Sequence, residues 1–388
     1  MKHKNWAALA VALSLIGAIT LPAAAAAQPP AALNFFADSD LSEACRQQGE
    51  LPSRQQGWTR NRFEQCHRND DDINLYTATG AKKGELKSVF EMLTFANYAD
   101  RRIDVILSLE GVEFDSALFR NDWGFITVSV DGCTGLSNVT CVGETYRTDD
   151  VDAWAARPLL NPIIITSPPN SGATPYYTVN MTISVKVTVE YRDGRTVPWQ
   201  GVMAISNLRF DSAGQPIGSA PQHGSVILDH IPTQELDGRP GSDHRQEAVH
   251  VDDALRNPAR TFPSFIGKAP PGAVGGSPLR RLMGPRSDVN RAESHKVCID
   301  VWGANYSAGG LQCDEYPYAS TYEGAATATA GISCGDGRDP DGKNWRIWHG
   351  SARPIDGTEN QRGGTLLSAF YRLNRMLDCD EFYVQVIR

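Results

Sequence analysis

Hydrophobic positions recur with period two over much of the first half of the chain. Ile103, Val105, Leu107 and Leu109 alternate with their neighbours, as do Trp123 and Phe125, then Val128 and Val130. The longest run is Val179, Met181, Ile183, Val185, Val187, Val189 and Tyr191, with polar or small residues between nearly all of them. Successive side chains of an extended segment point to opposite faces, so such a run buries one face and leaves the other in water. That is the habit of antiparallel sheets. Asp193-Gly194 then supplies a tight turn, and residues 202–210 return as a second strand. Residues 38–210 therefore predict an all-β, sandwich-like domain. Within it, residues 85–99 read as one helical stretch before the first long strand.

The pattern fails between residues 211 and 277, where Pro216, Pro221, Pro232, Pro240, Pro258, Pro263, Pro270 and Pro271 are interspersed with Gly. This stretch predicts an extended connector. Asp243, His244, His250 and Asp252 fall within it, but their spacing matches no tight ligand motif, and surface histidines are the expected reading. Residues 278–388 form a compact C-terminal unit. Leu366, Phe370, Leu373 and Leu377 lie at helical spacing, predicting an amphipathic helix over 364–377. Phe382, Val384 and Val386 alternate in a closing strand. There is no internal repeat.

Length and composition add limits. The chain has 388 residues with 41% hydrophobic and 21% charged positions, an ordinary globular balance with room for two domains. Lys and Arg number 37 against 45 Asp and Glu, a formal charge of -8. That excludes a protein that coats nucleic acid through bulk positive charge. Over residues 278–388 the balance is 13 against 14, so the acidic surplus lies upstream. Lys2, His3 and Lys4 precede an apolar run over 6–21, Pro22 and the small residues 23–27. This predicts a secretory signal peptide cleaved after Ala27, and hence a secreted, extracellular protein with no membrane anchor. The run is shorter than the roughly 20 residues a membrane span needs. The 8 Cys then predict disulfides. Cys45–Cys66 and Cys133–Cys141 are the simple local pairs; Cys298, Cys313, Cys334 and Cys379 allow three pairings. With no C-x-x-C, a thiolate zinc site is not expected.

The stretch richest in chemistry is CDEYPYASTYEGA, residues 313–325. In a strand, Asp314 and Glu315 would point to opposite faces, leaving one to face a substrate unless the chain bends. Pro317 makes an edge or a bend natural there. A bend would bring Asp314 and Glu323 together around a hard divalent cation, which prefers carboxylate oxygens.

This run resembles the signature of the NucA/NucB-type deoxyribonucleases, a family of secreted bacterial nucleases. The later segment Glu359-Asn360-Gln361-Arg362-Gly363-Gly364, the closing Asp380-Glu381-Phe382-Tyr383-Val384 and the upstream pair Asn290-Arg291 extend the likeness over about the last 110 residues. The resemblance implies a small α+β nuclease domain of ββα-metal type over 278–388, following the all-β domain and the 211–277 connector. It implies hydrolysis of DNA with Mg²⁺ or Mn²⁺ as cofactor, Asp314 as general base and Asn360 as metal ligand. Glu315 and Glu323 are then candidates to bind the metal through water or to orient its ligands. Asp ordinarily titrates near pH 4, about three units too low for an efficient base at neutrality, so Asp314 is expected to be shielded by Tyr316 or Trp348. His349 is a further candidate, as general acid. Arg346, Arg353, Arg362, Arg372, Arg375 and Lys343 are candidates for a phosphate-binding surface, with Arg353 and Arg362 foremost, because a guanidinium matches two phosphate oxygens. DNA is the expected partner, with an immunity or inhibitor protein a further expectation should the nuclease act as an antibacterial toxin. Two other readings accompany this one. In the first, an alternative to the nuclease, this is a secreted binding protein whose β domain recognises a cell-wall sugar or a protein surface, with Trp58, Trp154 or Trp199 lining a groove, and whose C-terminal unit is a degenerate nuclease domain. In the second, cleavage near Arg260 or Arg280-Arg281 releases a restrained nuclease.

Overall fold

The computed structural model describes residues 39–76, 79–114, 123–170, 176–198, 203–338 and 344–388. The predicted leader, Trp199 and Lys343 lie outside the described residues. A helix, α1 (Ser39–Arg46), precedes an antiparallel meander of β1 (Trp58–Asn61), β2 (Glu64–Tyr76), β3 (Lys82–Ala96) and β4 (Arg102–Phe114). Then follow β5 (Trp123–Asp131), β6 (Thr140–Val142), β7 (Tyr146–Asp149), α2 (Val151–Ala156), β8 (Ile163–Thr166), β9 (Tyr177–Tyr191), β10 (Thr196–Pro198), β11 (Ile205–Ser212) and β12 (Gly224–Ile227). One sheet has the order β1-β2-β3-β4-β8-β6; the other has β12-β11-β9-β5-β7, with β10 beside β9. The expected return strand comes as β10 and β11, both paired antiparallel with β9.

Leu86, Met92, Ile103 and Leu107 of the first sheet share one hydrophobic cluster with Ile126, Ile183, Val187 and Phe210 of the second. Each fully buried side chain of this kind contributes about 1.5–3 kcal/mol. Trp154 belongs to the same cluster: it is fully buried, and its Nε1 donates to the Ile126 carbonyl at 2.9 Å. Trp58 packs, partly buried, on a second cluster formed by Leu41, Cys45, Cys66, Leu93 and Phe95. Neither indole is therefore the exposed platform that a sugar groove requires.

Residues 85–99, read above as helical, lie mostly in β3, which pairs along its length with β2 and β4. The misreading has a physical origin. Phe90 and Met92 enter the main core, while Leu93 and Phe95 enter the cluster beside α1. A strand buried on both faces loses the alternation that marks it.

The stretch read as a connector carries regular structure. β13 (Thr233–Asp237) lies parallel to β17 (Glu381–Ile387), and β14 (Leu279–Arg280) pairs with β17 antiparallel, giving the order β13-β17-β14. α3 (Arg245–Arg256) buries Ala248, Val251 and Ala254 against Leu236, Phe382 and Val384. Its buried face also holds Glu247 and His250, and that polarity hid the helix from a hydropathy pattern. The prolines stand around these elements: Pro232 precedes β13, Pro240 separates it from α3, and Pro258 opens a short 3₁₀ turn.

The remaining elements are α4 (Arg286–Trp302), β15 (Leu311–Tyr316), β16 (Ser351–Asp356) and α5 (Gly357–Leu373). α5 begins seven residues before the predicted helix, capped by the Asp356 carboxylate, which accepts from the Thr358 and Glu359 amides. Gly357, Gly363 and Gly364 had concealed those first turns. Disulfides join Cys45–Cys66, Cys133–Cys141 and Cys298–Cys313, the last tying α4 to β15. Cys334 and Cys379 are free thiols hydrogen-bonded to each other.

Residues 36–388 are one compact unit, and buried ion pairs link the β-sheets to the C-terminal elements. Asp380 accepts from Arg62 at 2.8 Å and from Arg209 at 2.6 and 2.9 Å. Burial opposes its ionisation, but these two guanidiniums outweigh that and hold the carboxyl well below the usual range. Arg375, a candidate phosphate binder above, is wholly buried instead. It pairs with Asp211 and donates to the carbonyls of Tyr98 and Pro221. Arg280 lies in β14 and Arg281 donates to the Met376 carbonyl, so this basic pair is held in ordered structure rather than offered to a protease.

Candidate active site

β15 and β16 form a two-stranded antiparallel ribbon in which Asp314 lies opposite Arg353 and Glu315 opposite Ala352. Alternation puts Gln312, Asp314 and Tyr316 on one face and Leu311, Cys313 and Glu315 on the other. α3 meets the first face through His250; α4 meets the second through the Cys298–Cys313 bridge. β15 pairs on one side only, so its other edge borders a cleft of about 370 Å³. Glu247, Arg291, His295, Asp314, Glu315 and Asn360 are among the residues lining it. The cleft runs along the strand edge, and this is how both adjacent carboxylates reach it without a bend between them.

Asp314 is 5% exposed. Its Oδ2 lies 2.6 Å from Nδ1 of His250, a fully buried residue whose Nε2 lies 2.7 Å from Ser351 Oγ. With Asp314 ionised, Nδ1–H donates to the carboxylate and the Ser351 hydroxyl donates to Nε2. One carboxylate oxygen is thus fixed by the imidazole and the other is left for solvent or substrate. From α3, His250 lies against Asp314. Trp348 packs with Cys298, Cys313 and Ala352, on the other side of the ribbon, while Tyr316 is its neighbour on the same face.

Glu315 stands 3.9 Å from Arg291. Burial and the nearby Asp314 charge push its carboxyl up to about 8, against the pull of Arg291. Glu247 is 3% exposed, and burial followed by the charges of Asp314 and Glu315 pushes it up to about 9. Burial, then Arg291, lowers His295. Asn360, in the second turn of α5, donates from Nδ2 to Gln312 Oε1 at 3.0 Å, which leaves its carboxamide oxygen as the atom available to a cation.

The other sequence candidates stand elsewhere. Glu323 pairs with Arg280 at 2.9 Å and does not line this cleft, so the structure does not bring it to Asp314. His349, just before β16, is exposed, its Nδ1 accepting from the Ala269 amide and its ring edge-on to Phe265. Arg353 binds Asp253 of α3 at 2.9 Å, Arg362 binds Asp243 at 2.8 Å and Arg346 binds Asp300 at 3.3 Å; none of the three lines the cleft. Glu247 and His295 were missed from sequence, and His250, expected as a surface histidine, is fully buried against Asp314 and Ser351. The one available signal was Glu247 and His250 at i, i+3 on one helix face, with nothing in the chain to link them to a strand 64 residues later.

Among the described residues no three His, Cys, Asp or Glu side chains already form a metal-ligand cluster. The donor set is still suited to a hard cation. The Glu247 and Glu315 carboxyls and the Asn360 carboxamide oxygen share one cleft, and Mg²⁺ takes few protein oxygens while keeping most of its water.

The cleft thus gathers carboxylates, one of them held by a buried imidazole. Residues 283–385 match the family model described as deoxyribonuclease NucA/NucB, so the C-terminal region carries a domain of that family. The matched span contains α4, β15, β16, α5 and most of β17, but not α3. No curated protein and no solved structure matches the chain.

Proposed function

We propose that the protein is a secreted, metal-dependent endonuclease that hydrolyses DNA phosphodiester bonds with little sequence preference, Asp314 acting as general base. The observation that carries this is the Asp314–His250–Ser351 chain at the edge of the cleft formed by the family-matched elements. The three disulfides suit an oxidising, extracellular setting, and among the described residues no helix is long and apolar enough to cross a membrane.

Asp314 takes the proton of a water molecule as that water attacks phosphorus in line. His250, donating to the other carboxylate oxygen, keeps the base in one rotamer, with Ser351 fixing the imidazole tautomer. Asn360 and Glu315 are the residues that would hold a divalent cation. When bound, it stabilises the negative charge growing on the phosphoryl and leaving oxygens. Arg291, its side chain about half exposed at the cleft, is placed to meet a phosphate of the backbone. A phosphodiester needs only local contacts here, so the acidic charge of the whole chain does not oppose the reading.

Plasmid nicking by the full chain with Mg²⁺ or Mn²⁺, and its loss on adding a chelator, tests this. Asp314→Ala is expected to lower the cleavage rate by about 10²–10⁴-fold, the usual contribution of a general base. DNA left intact by wild-type protein, or cut equally by the variant, would sink the assignment.

A further inference from the structure

We infer that Glu247 of α3, upstream of the family-matched residues, is a carboxylate ligand of the cleft's divalent cation; this rests on the metal-dependent reading above. The nuclease site on this view begins at α3 and not at residue 283. Glu247 lines the cleft beside Asp314, Glu315 and Asn360 and is 97% buried as a residue, at 3% exposure. Its Oε2 is buried without any hydrogen-bond partner. The Tyr318 hydroxyl, also in the lining, is likewise buried and unpartnered, so the two do not satisfy each other. A buried carboxyl oxygen with no hydrogen-bond partner is costly unless a donor or a cation meets it. Arg291, the cleft's guanidinium, pairs with Asp288 and Glu315 instead.

The packing around Glu247 points the same way. Gly363 lies inside α5, where glycine is disfavoured, and a Cβ on it would fall 1.1 Å from Glu247 Oε2. α5 therefore gives up a side chain at the one place where the carboxylate needs room. Asn360 stands three residues earlier on the same helix, so the space left by Gly363 and the carboxamide of Asn360 open on one side of α5. A hard cation held by Glu247, Asn360 and water would satisfy the orphaned oxygen.

The test is isothermal titration of the full chain with Mn²⁺, alongside plasmid nicking and circular dichroism. Glu247→Gln keeps the shape and removes the charge. It is expected to weaken Mn²⁺ binding by about 10- to 100-fold in a folded protein, with nicking restored in part at high Mn²⁺. Gly363→Ala keeps the charge but fills its space, and the same loss is expected; this variant decides the matter if Glu247→Gln does not fold. Unchanged Mn²⁺ affinity in a folded variant, with wild type still cutting DNA, overturns the inference and leaves the nuclease reading standing. A wild type that neither binds Mn²⁺ nor cuts DNA removes both.

Discussion

His250 contributes to the proposed chemistry through another side chain. It touches Asp314 and Ser351 and is wholly buried, so its effect should appear in the orientation of the base and not in substrate affinity. His250→Ala is expected to lower kcat by about 10²-fold with KM nearly unchanged, the cost of misplacing a reacting group by about 1 Å. His250→Gln, which keeps a donor, should recover part of that loss in the same steady-state assay. A second buried histidine governs stability instead. His67 Nε2 lies 3.1 Å from the carbonyls of Gln55 and Ile205, and burial lowers its pKa to about 4. The unfolded chain takes up this proton near pH 6.5 while the folded chain refuses it until about pH 4. Stability is therefore full above pH 6.5 and falls as pH drops from there to about 4, by on the order of 3 kcal/mol. Urea denaturation of wild type and His67→Gln across that window checks this, the variant showing a shallower loss.

Between elements, one buried carboxamide sets the motif loop on α4. Asn290 is 1% exposed; its Nδ2 donates to the carbonyls of Ala319 and Thr321, and its Oδ1 accepts from the Ala326 and Thr327 amides. Gly324 fits against it, since a Cβ there would lie 2.3 Å from Asn290 Nδ2. One carboxamide thus organises the small-residue run that follows the two carboxylates. Asn290→Ala leaves several buried backbone groups without partners and should cost about 2–4 kcal/mol, read as a lower Tm by calorimetry, with nicking activity falling in parallel. The likeness at Asn290-Arg291 was visible in the chain, but Asn290 proves to be an internal scaffold and Arg291 its exposed neighbour at the cleft.

At the scale of the molecule, the β-sheets and the C-terminal elements are joined by charges removed from water. Arg375 and Asp211 are both fully buried, and Arg62 and Arg209 enclose Asp380. Replacing one partner of such a pair leaves the other charge uncompensated. Arg375→Met is expected to lose about 3–5 kcal/mol, with the tryptophan signal of the β-sheets and the nicking activity lost in a single urea transition. Two separate transitions would show that the halves unfold independently. The link also gives the acidic upstream half a structural task, since Asp211 receives a C-terminal arginine and Arg62 and Arg209 receive a C-terminal aspartate.

The amino-acid sequence alone determined the features whose causes are local. Alternation specified β4, β5 and β9, short separations specified the Cys45–Cys66 and Cys133–Cys141 bridges, and the CDEYP motif marked the strand that carries Asp314. Tertiary structure decided whatever depends on residues distant in the chain. It turned residues 85–96 into a strand because both of its faces are buried, and it made a helix of residues 245–256, whose buried face holds Glu247 and His250. It also removed Glu323, His349 and Arg375 from the cleft by giving each a partner elsewhere. A carboxylate or an imidazole reads the same in any chain. Which charge it meets, and how much water it loses, is settled only when the elements pack.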